Sequence, residues 1–217
     1  MKSIDSANTN GAMFPAMGFW TAILLVVLNI FYLAVMAFSA AVFPPPEPLQ
    51  SLIHLLVLIT PPIMIILWVQ LHDAAPLDRK LFSHASLAFL VIFAALVSIN
   101  RFVALTVVRP SLAAGNVDGL QWFLPYGWPS AMLALEMLGW GLFFGFACLT
   151  LAPTFQGGRL ERSICWTLVV TAVFNFAIIA ALVVDQFGVL WWLGPVAWGA
   201  GPTVAIALMA AWFRRQM

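Results

Sequence analysis

Charge is what this chain has least of. Only 8% of its 217 residues are Asp, Glu, Lys or Arg, while 64% are hydrophobic. A soluble domain carries about 25% charged residues to cover its surface. Water-soluble packing is therefore excluded, and little sequence is left for a separate soluble domain. A net charge of +1 offers no basic face to nucleic acid. Cysteine is scarce as well: Cys148 and Cys165 have no C-x-x-C partner, so inert buried thiols are expected rather than redox or metal chemistry. The three histidines, His54, His72 and His84, fall at unmatched depths and cannot supply axial pairs for two haems. His72, Asp73 and His84 could gather on a metal, but solvated loop residues are the expectation. Phosphate loops, H-E-x-x-H and serine-nucleophile motifs are missing. Neither a cofactor nor a metal is expected, and the reading leans away from an enzyme without excluding one.

What the chain has in abundance is uninterrupted apolar sequence. Runs at about 18–43, 51–71, 83–108, 129–152, 164–184 and 190–213 each approach or exceed the roughly 20 residues that cross a bilayer. The expected fold is all-α, a polytopic membrane bundle of six transmembrane helices over 18–213. A polar segment, 1–17, precedes it. That segment is weakly basic and no small-residue cleavage site closes a short apolar core, so the first span is read as retained. PPPEP at 44–48 stops the first run, because successive prolines cannot continue a helix. Pro129 opens the fourth, a favoured first helical position. The connector 109–128 is broken by Pro110, Gly115, Gly119, Pro125 and Gly127 yet holds Leu120-Gln121-Trp122-Phe123-Leu124. That mixture suits a segment lying in the membrane interface.

Six spans make the connectors alternate between two sides. Lys2, Arg79, Lys80, Arg159, Arg162, Arg214 and Arg215 share the side of both termini, against Arg109 opposite. By the positive-inside rule both termini are cytoplasmic.

Two charges interrupt the apolar runs. Arg101 lies in the third span and Glu136 in the fourth. An ionisable group in hydrocarbon is costly unless paired, which makes each a candidate functional residue. Both fall roughly 10–12 Å below the outer surface, at 1.5 Å per helical residue. Consecutive antiparallel spans then bring them together at one level. Trp140 stands one turn from Glu136, and Gly139 leaves room beside it. Pro202 breaks the sixth span near the Trp198 carbonyl, Pro61-Pro62 opens the second, and Asn100 and Asn175 add hydrogen-bonding groups. These residues outline an outward-facing polar pocket roofed by 120–124, with Glu136, Arg101, Asn100, Trp140, Asn175 and Trp198 as ligand-binding candidates. The competing reading is structural, with the pair pinning two helices in register. Gly141-x-x-x-Gly145 is read as a helix-packing motif, and Asn29 and Tyr32 as interhelical hydrogen bonders.

The run SINRFVALTVVRPSL, followed by GL and later ALEMLGW, resembles a group of uncharacterised bacterial six-span membrane proteins. In that group an aromatic often stands at the position of Arg101, and an A-L-E-x-L-G-[YW] stretch accompanies Glu136. The resemblance covers the third and fourth spans. It implies a multi-pass protein of the bacterial inner membrane and brings no activity with it. Two functions follow as expectations. One is binding or transport of a small molecule, lipid or ion at the pocket. The other is an accessory subunit of a larger membrane complex. The bilayer is the expected surrounding in both, with membrane-protein partners or a homo-oligomer as further candidates.

Overall fold

The computed structural model describes residues 9–38, 42, 45–126, 129–186, 188 and 193–217. Most of the 1–17 segment's polar start, the end of the first expected span, residues 127–128 of the connector and the start of the sixth span lie outside them. The described chain is all-α. Its six long helices are α1 (Thr9–Phe38), α2 (Leu49–Ala74), α3 (Leu77–Ala113), α4 (Ala131–Thr154), α5 (Arg159–Val183) and α6 (Pro195–Arg214). Each is long and apolar enough to cross a membrane, so the chain is a multi-pass membrane protein. Expected and observed spans differ at their ends. α3 runs past 108 to Ala113, because Pro110 sits in the first turn of its last segment, where a missing N–H is tolerated.

The helices form a ring in chain order. Each packs on its neighbours in sequence, and α6 returns to α1. Gly18 makes that closure tight: a Cβ there would lie 2.4 Å from the Phe213 ring. The same contact sets the start of α1 beside the end of α6. Phe155, after α4, stacks edge-on against Trp212 with ring centroids 5.4 Å apart. Both described ends of the chain and the α4–α5 connector therefore share one end of the bundle.

At that end the ring's interior is filled. Trp68, Phe93, Phe144 and Phe213 are fully buried there. Trp68 Nε1 donates to Ser86 Oγ at 2.8 Å, and Ser86 Oγ donates to the Ala147 carbonyl at 2.6 Å, so a polar chain ties α2 to α3 and α4. Gly141 and Gly145 pack α4 on α5, where an added Cβ would meet Ile179 and Phe176 at 2.7 Å. Large apolar side chains such as Trp20, Val27, Phe102 and Trp166 point outward, as lipid contact requires.

Among the described residues three stretches widen into π-helix: Ala104–Val108, Leu138–Phe144 and Pro195–Ala200. Two have the same cause. The Arg109 amide bonds the Ala104 carbonyl and the Gly201 amide bonds the Val196 carbonyl, each five residues back and each just before a proline. A proline ring clashes with the carbonyl four residues earlier, and the wider turn relieves that clash. α2 is continuous through Pro61-Pro62. The middle stretch holds no proline, only Gly139 and Gly141.

Candidate functional site

At the end of the bundle opposite the termini, the ring encloses a cavity of about 640 Å³. Its wall is built by α1, α2, α4 and α6, with Arg101 alone from α3 and Pro125 and Tyr126 from the connector after it. Helical spacing explains which side chains reach it. Asn29, Tyr32, Leu33 and Met36 recur at three- and four-residue steps on α1, as do Val57, Pro61 and Met64 on α2, so each set shares one face.

Arg101 and Glu136 pair across α3 and α4, Nη2 donating to Oε1. They are 5% and 3% exposed, so neither charge is hydrated, and each depends on the other. Trp140 Nε1, one turn along α4, donates to the same carboxylate oxygen at 3.0 Å. Arg101 Nη1 lies 3.1 Å from His54 Nδ1. Arginine has only donors, so His54 Nδ1 accepts and the ring proton sits on Nε2. Nη1 also donates to the Tyr126 hydroxyl at 3.4 Å. Tyr126 stacks on His54 with centroids 5.6 Å apart and planes 14° from parallel. The guanidinium carbon sits 5.7 Å from the Tyr126 ring centre, within cation–π range. Burial, the largest cause, pushes the Tyr126 phenol above its ordinary pKa, so its hydroxyl keeps its proton while accepting from Arg101. Two buried atoms of the pair have no hydrogen-bond partner: Arg101 Nε and Glu136 Oε2.

Of the six residues read from sequence, Glu136, Arg101, Trp140 and Trp198 line the cavity. The two asparagines do not. Asn100 turns to α4, its Nδ2 donating to the Met132 carbonyl at 2.6 Å. Asn175 joins α5 to α6: Nδ2 donates to Thr171 and Ala197 carbonyls, and Oδ1 accepts from Trp198 Nε1 at 2.9 Å. With Pro202 lacking an N–H, the π register of α6 leaves the Ala197 carbonyl without a helical donor, and Asn175 serves it. Gly139 faces Val97 on α3 rather than the carboxylate. The roof differs too, since Pro125 and Tyr126 line the cavity and 120–124 does not. That segment is held back by Ser130, the N-cap of α4, whose Oγ donates to the Trp122 and Leu124 carbonyls.

His54, Tyr126 and Tyr32 were not among the expected site residues. His54 shares a helical face with Val57 and Pro61, at steps of three and four, and that spacing was the available signal. Tyr126 carried none, because a connector has no period. Asn29 does bond between helices, Nδ2 donating to Thr203 Oγ1 at 3.0 Å across α1 and α6. Among the described residues no three His, Cys, Asp or Glu side chains gather as a metal site. Comparison with protein-family models, with curated proteins and with solved structures found no match. No family is identified for the chain, and the reading of this site rests on its geometry.

Proposed function

We propose that this membrane protein binds a small molecule or lipid in the cavity beside Arg101 and Glu136, and that it carries or presents that ligand at the outer half of the bilayer. One observation supports the reading above the others. The ring is filled at one end and hollow at the other, and the buried ion pair stands in the wall of the hollow end. A pair serving only to pin α3 against α4 needs no such space beside it. Pockets of roughly 300–1,000 Å³ are the size that encloses drug-sized ligands. Glu136, Arg101, Trp140 and Trp198 are the proposed contact residues. We read both termini as cytoplasmic from the Lys and Arg asymmetry, and the membrane as a bacterial inner membrane from the resemblance carried by α3 and α4. A structure determined in lipid nanodiscs tests the reading. Non-protein density beside Glu136 is the expected result, and a cavity holding only water would sink it.

A second reading treats the chain as a subunit of a larger complex. It draws on α1, whose most apolar window is only 17% buried in this chain, leaving most of its surface for lipid or a partner helix. Extraction in mild detergent separates the two, since a clean monomer argues against the subunit role.

A further inference from the structure

We infer that the cavity takes a lipid built on a flat conjugated ring that carries oxygen, of the quinone or quinol kind. The ring lies against Trp140 and Trp198, a ring oxygen meets the Tyr32 hydroxyl, and an apolar tail follows the rest of the wall. The inference rests on the cavity being a binding site, as proposed above, and names the class of molecule that would fill it.

The ring follows from what two indoles have left to offer. Trp140 and Trp198 line the cavity from α4 and α6, and both are part-buried. Trp140 Nε1 donates to Glu136 Oε1 at 3.0 Å and Trp198 Nε1 to Asn175 Oδ1 at 2.9 Å. Their N–H groups are spent within the protein, so what they present to a ligand is ring surface. Their centroids lie 6.5 Å apart with the planes at 47°. A ring slipped between two others needs about 7 Å, at roughly 3.5 Å per contact, so the two indoles act as one angled wall. That wall is held in place. Trp140 packs on Phe93 and Phe144, with centroids 4.6 and 5.4 Å away, and a Cβ at Gly194 would lie 2.6 Å from the Trp198 ring. Rings in offset or edge-on contact gain more than their buried area alone provides, an increment that a saturated chain does not receive.

The oxygen follows from Tyr32. Read from the sequence as an interhelical hydrogen bonder, its hydroxyl has no hydrogen-bond partner among the described residues. Tyr32 stands on the cavity face of α1, part-buried, and its hydroxyl is not closed off as Arg101 Nε and Glu136 Oε2 are. A hydroxyl left unbonded at membrane depth is costly. A carbonyl or hydroxyl oxygen on the ligand's ring accepts from it.

The tail follows from the rest of the wall. Met36, Met64 and Met137 contribute to it from three different helices. Unbranched thioether side chains adapt to the shape of what lies against them, which suits a flexible chain.

The test uses purified protein in phosphatidylcholine nanodiscs and three radiolabelled probes. Decylubiquinone carries ring, oxygen and tail; decylbenzene keeps the ring without oxygen; dodecanol keeps an oxygen without a ring. Binding is read as the saturable component that Thr60→Trp removes, since that substitution fills the cavity from α2. Decylubiquinone should bind at least about tenfold more tightly than dodecanol, with decylbenzene between them. Tyr32→Phe, which keeps the ring and loses the hydroxyl, should weaken decylubiquinone about three- to tenfold and leave decylbenzene unchanged. Dodecanol binding as tightly as decylubiquinone would overturn the ring seat while leaving the cavity a binding site. Decylbenzene matching decylubiquinone, or Tyr32→Phe binding decylubiquinone as wild type does, would overturn the placement of the oxygen. If no probe shows a component that Thr60→Trp removes, the binding site itself fails, and the ligand class with it. The three-probe comparison stands even if Tyr32→Phe does not fold.

Discussion

Arg101 and Glu136 illustrate how a costly residue becomes a stable one. Each is almost wholly buried, and each carries the other's counter-charge. Removing one partner of such a pair costs about 3–5 kcal/mol, because the survivor is left charged and alone. Arg101→Met should therefore lower stability by about that amount, and Arg101→Met with Glu136→Leu should recover most of it. Unfolding in mixed micelles measures both variants, and losses that simply add would show that the two groups do not depend on each other. His54 supports the pair from α2. His54→Phe removes an acceptor from the guanidinium and should cost about 1.5–3 kcal/mol, with His54→Gln milder because its carbonyl still accepts. Equal losses in the two variants would count against the hydrogen bond at 3.1 Å. The pair itself was legible in the sequence, since depth counted from two helix ends needs only residue numbers. His54 was less so: a histidine near a span's edge reads as interfacial until the Arg101 side chain is seen to reach it. Tyr126 could not be read, because its place depends on how a connector folds over the bundle.

The helices show how proline shapes a span without ending it. α3 and α6 each widen into a π turn just before Pro110 and Pro202, and α2 passes through Pro61-Pro62 as continuous helix. Proline positions were legible, but the resulting register was not. A count of four residues back from Pro202 points to Trp198, whereas the five-residue register points to Ala197, whose carbonyl takes the Asn175 amide. That shift explains why Asn175 stands at a helix interface and not in the cavity. It also couples two residues far apart in sequence. Pro202→Ala restores an amide donor, so Asn175→Leu should cost about 1 kcal/mol less in the Pro202→Ala background than in wild type. A double-mutant cycle in the same micelles reads the difference, and a coupling near zero would refute the assignment. Gly141 and Gly145 pack as their spacing implied. Gly145 lets α4 approach α5, and Gly145→Leu should cost about 1–3 kcal/mol through overpacking against Phe176.

For the whole molecule, six spans were readable from length and hydropathy, but ring closure was not. Nothing local to Gly18 or Phe213 announces that α1 and α6 meet; only the three-dimensional contact does. The closed ring explains why an interior exists at all, and why it is full at one end and hollow at the other. Its orientation would then decide which compartment supplies the proposed ligand. The described ends of the chain, with six of the Lys and Arg residues in the described segments, share the filled end: Arg79, Lys80, Arg159, Arg162, Arg214 and Arg215. Arg109 lies towards the hollow end, where its Nη1 donates to Ser51 Oγ at 3.4 Å. In the orientation proposed from the positive-inside rule the filled end is cytoplasmic and the cavity opens towards the outer face. Asp78, in the first turn of α3, and Asp118, in the connector after it, are exposed towards opposite ends of that helix, which makes them suitable reporters. With Cys148 and Cys165 replaced by alanine, Asp118→Cys should react with a membrane-impermeant maleimide in intact cells. Asp78→Cys should react only after the membrane is opened. The reverse pattern would turn the molecule over and make the cavity's ligand a cytoplasmic one.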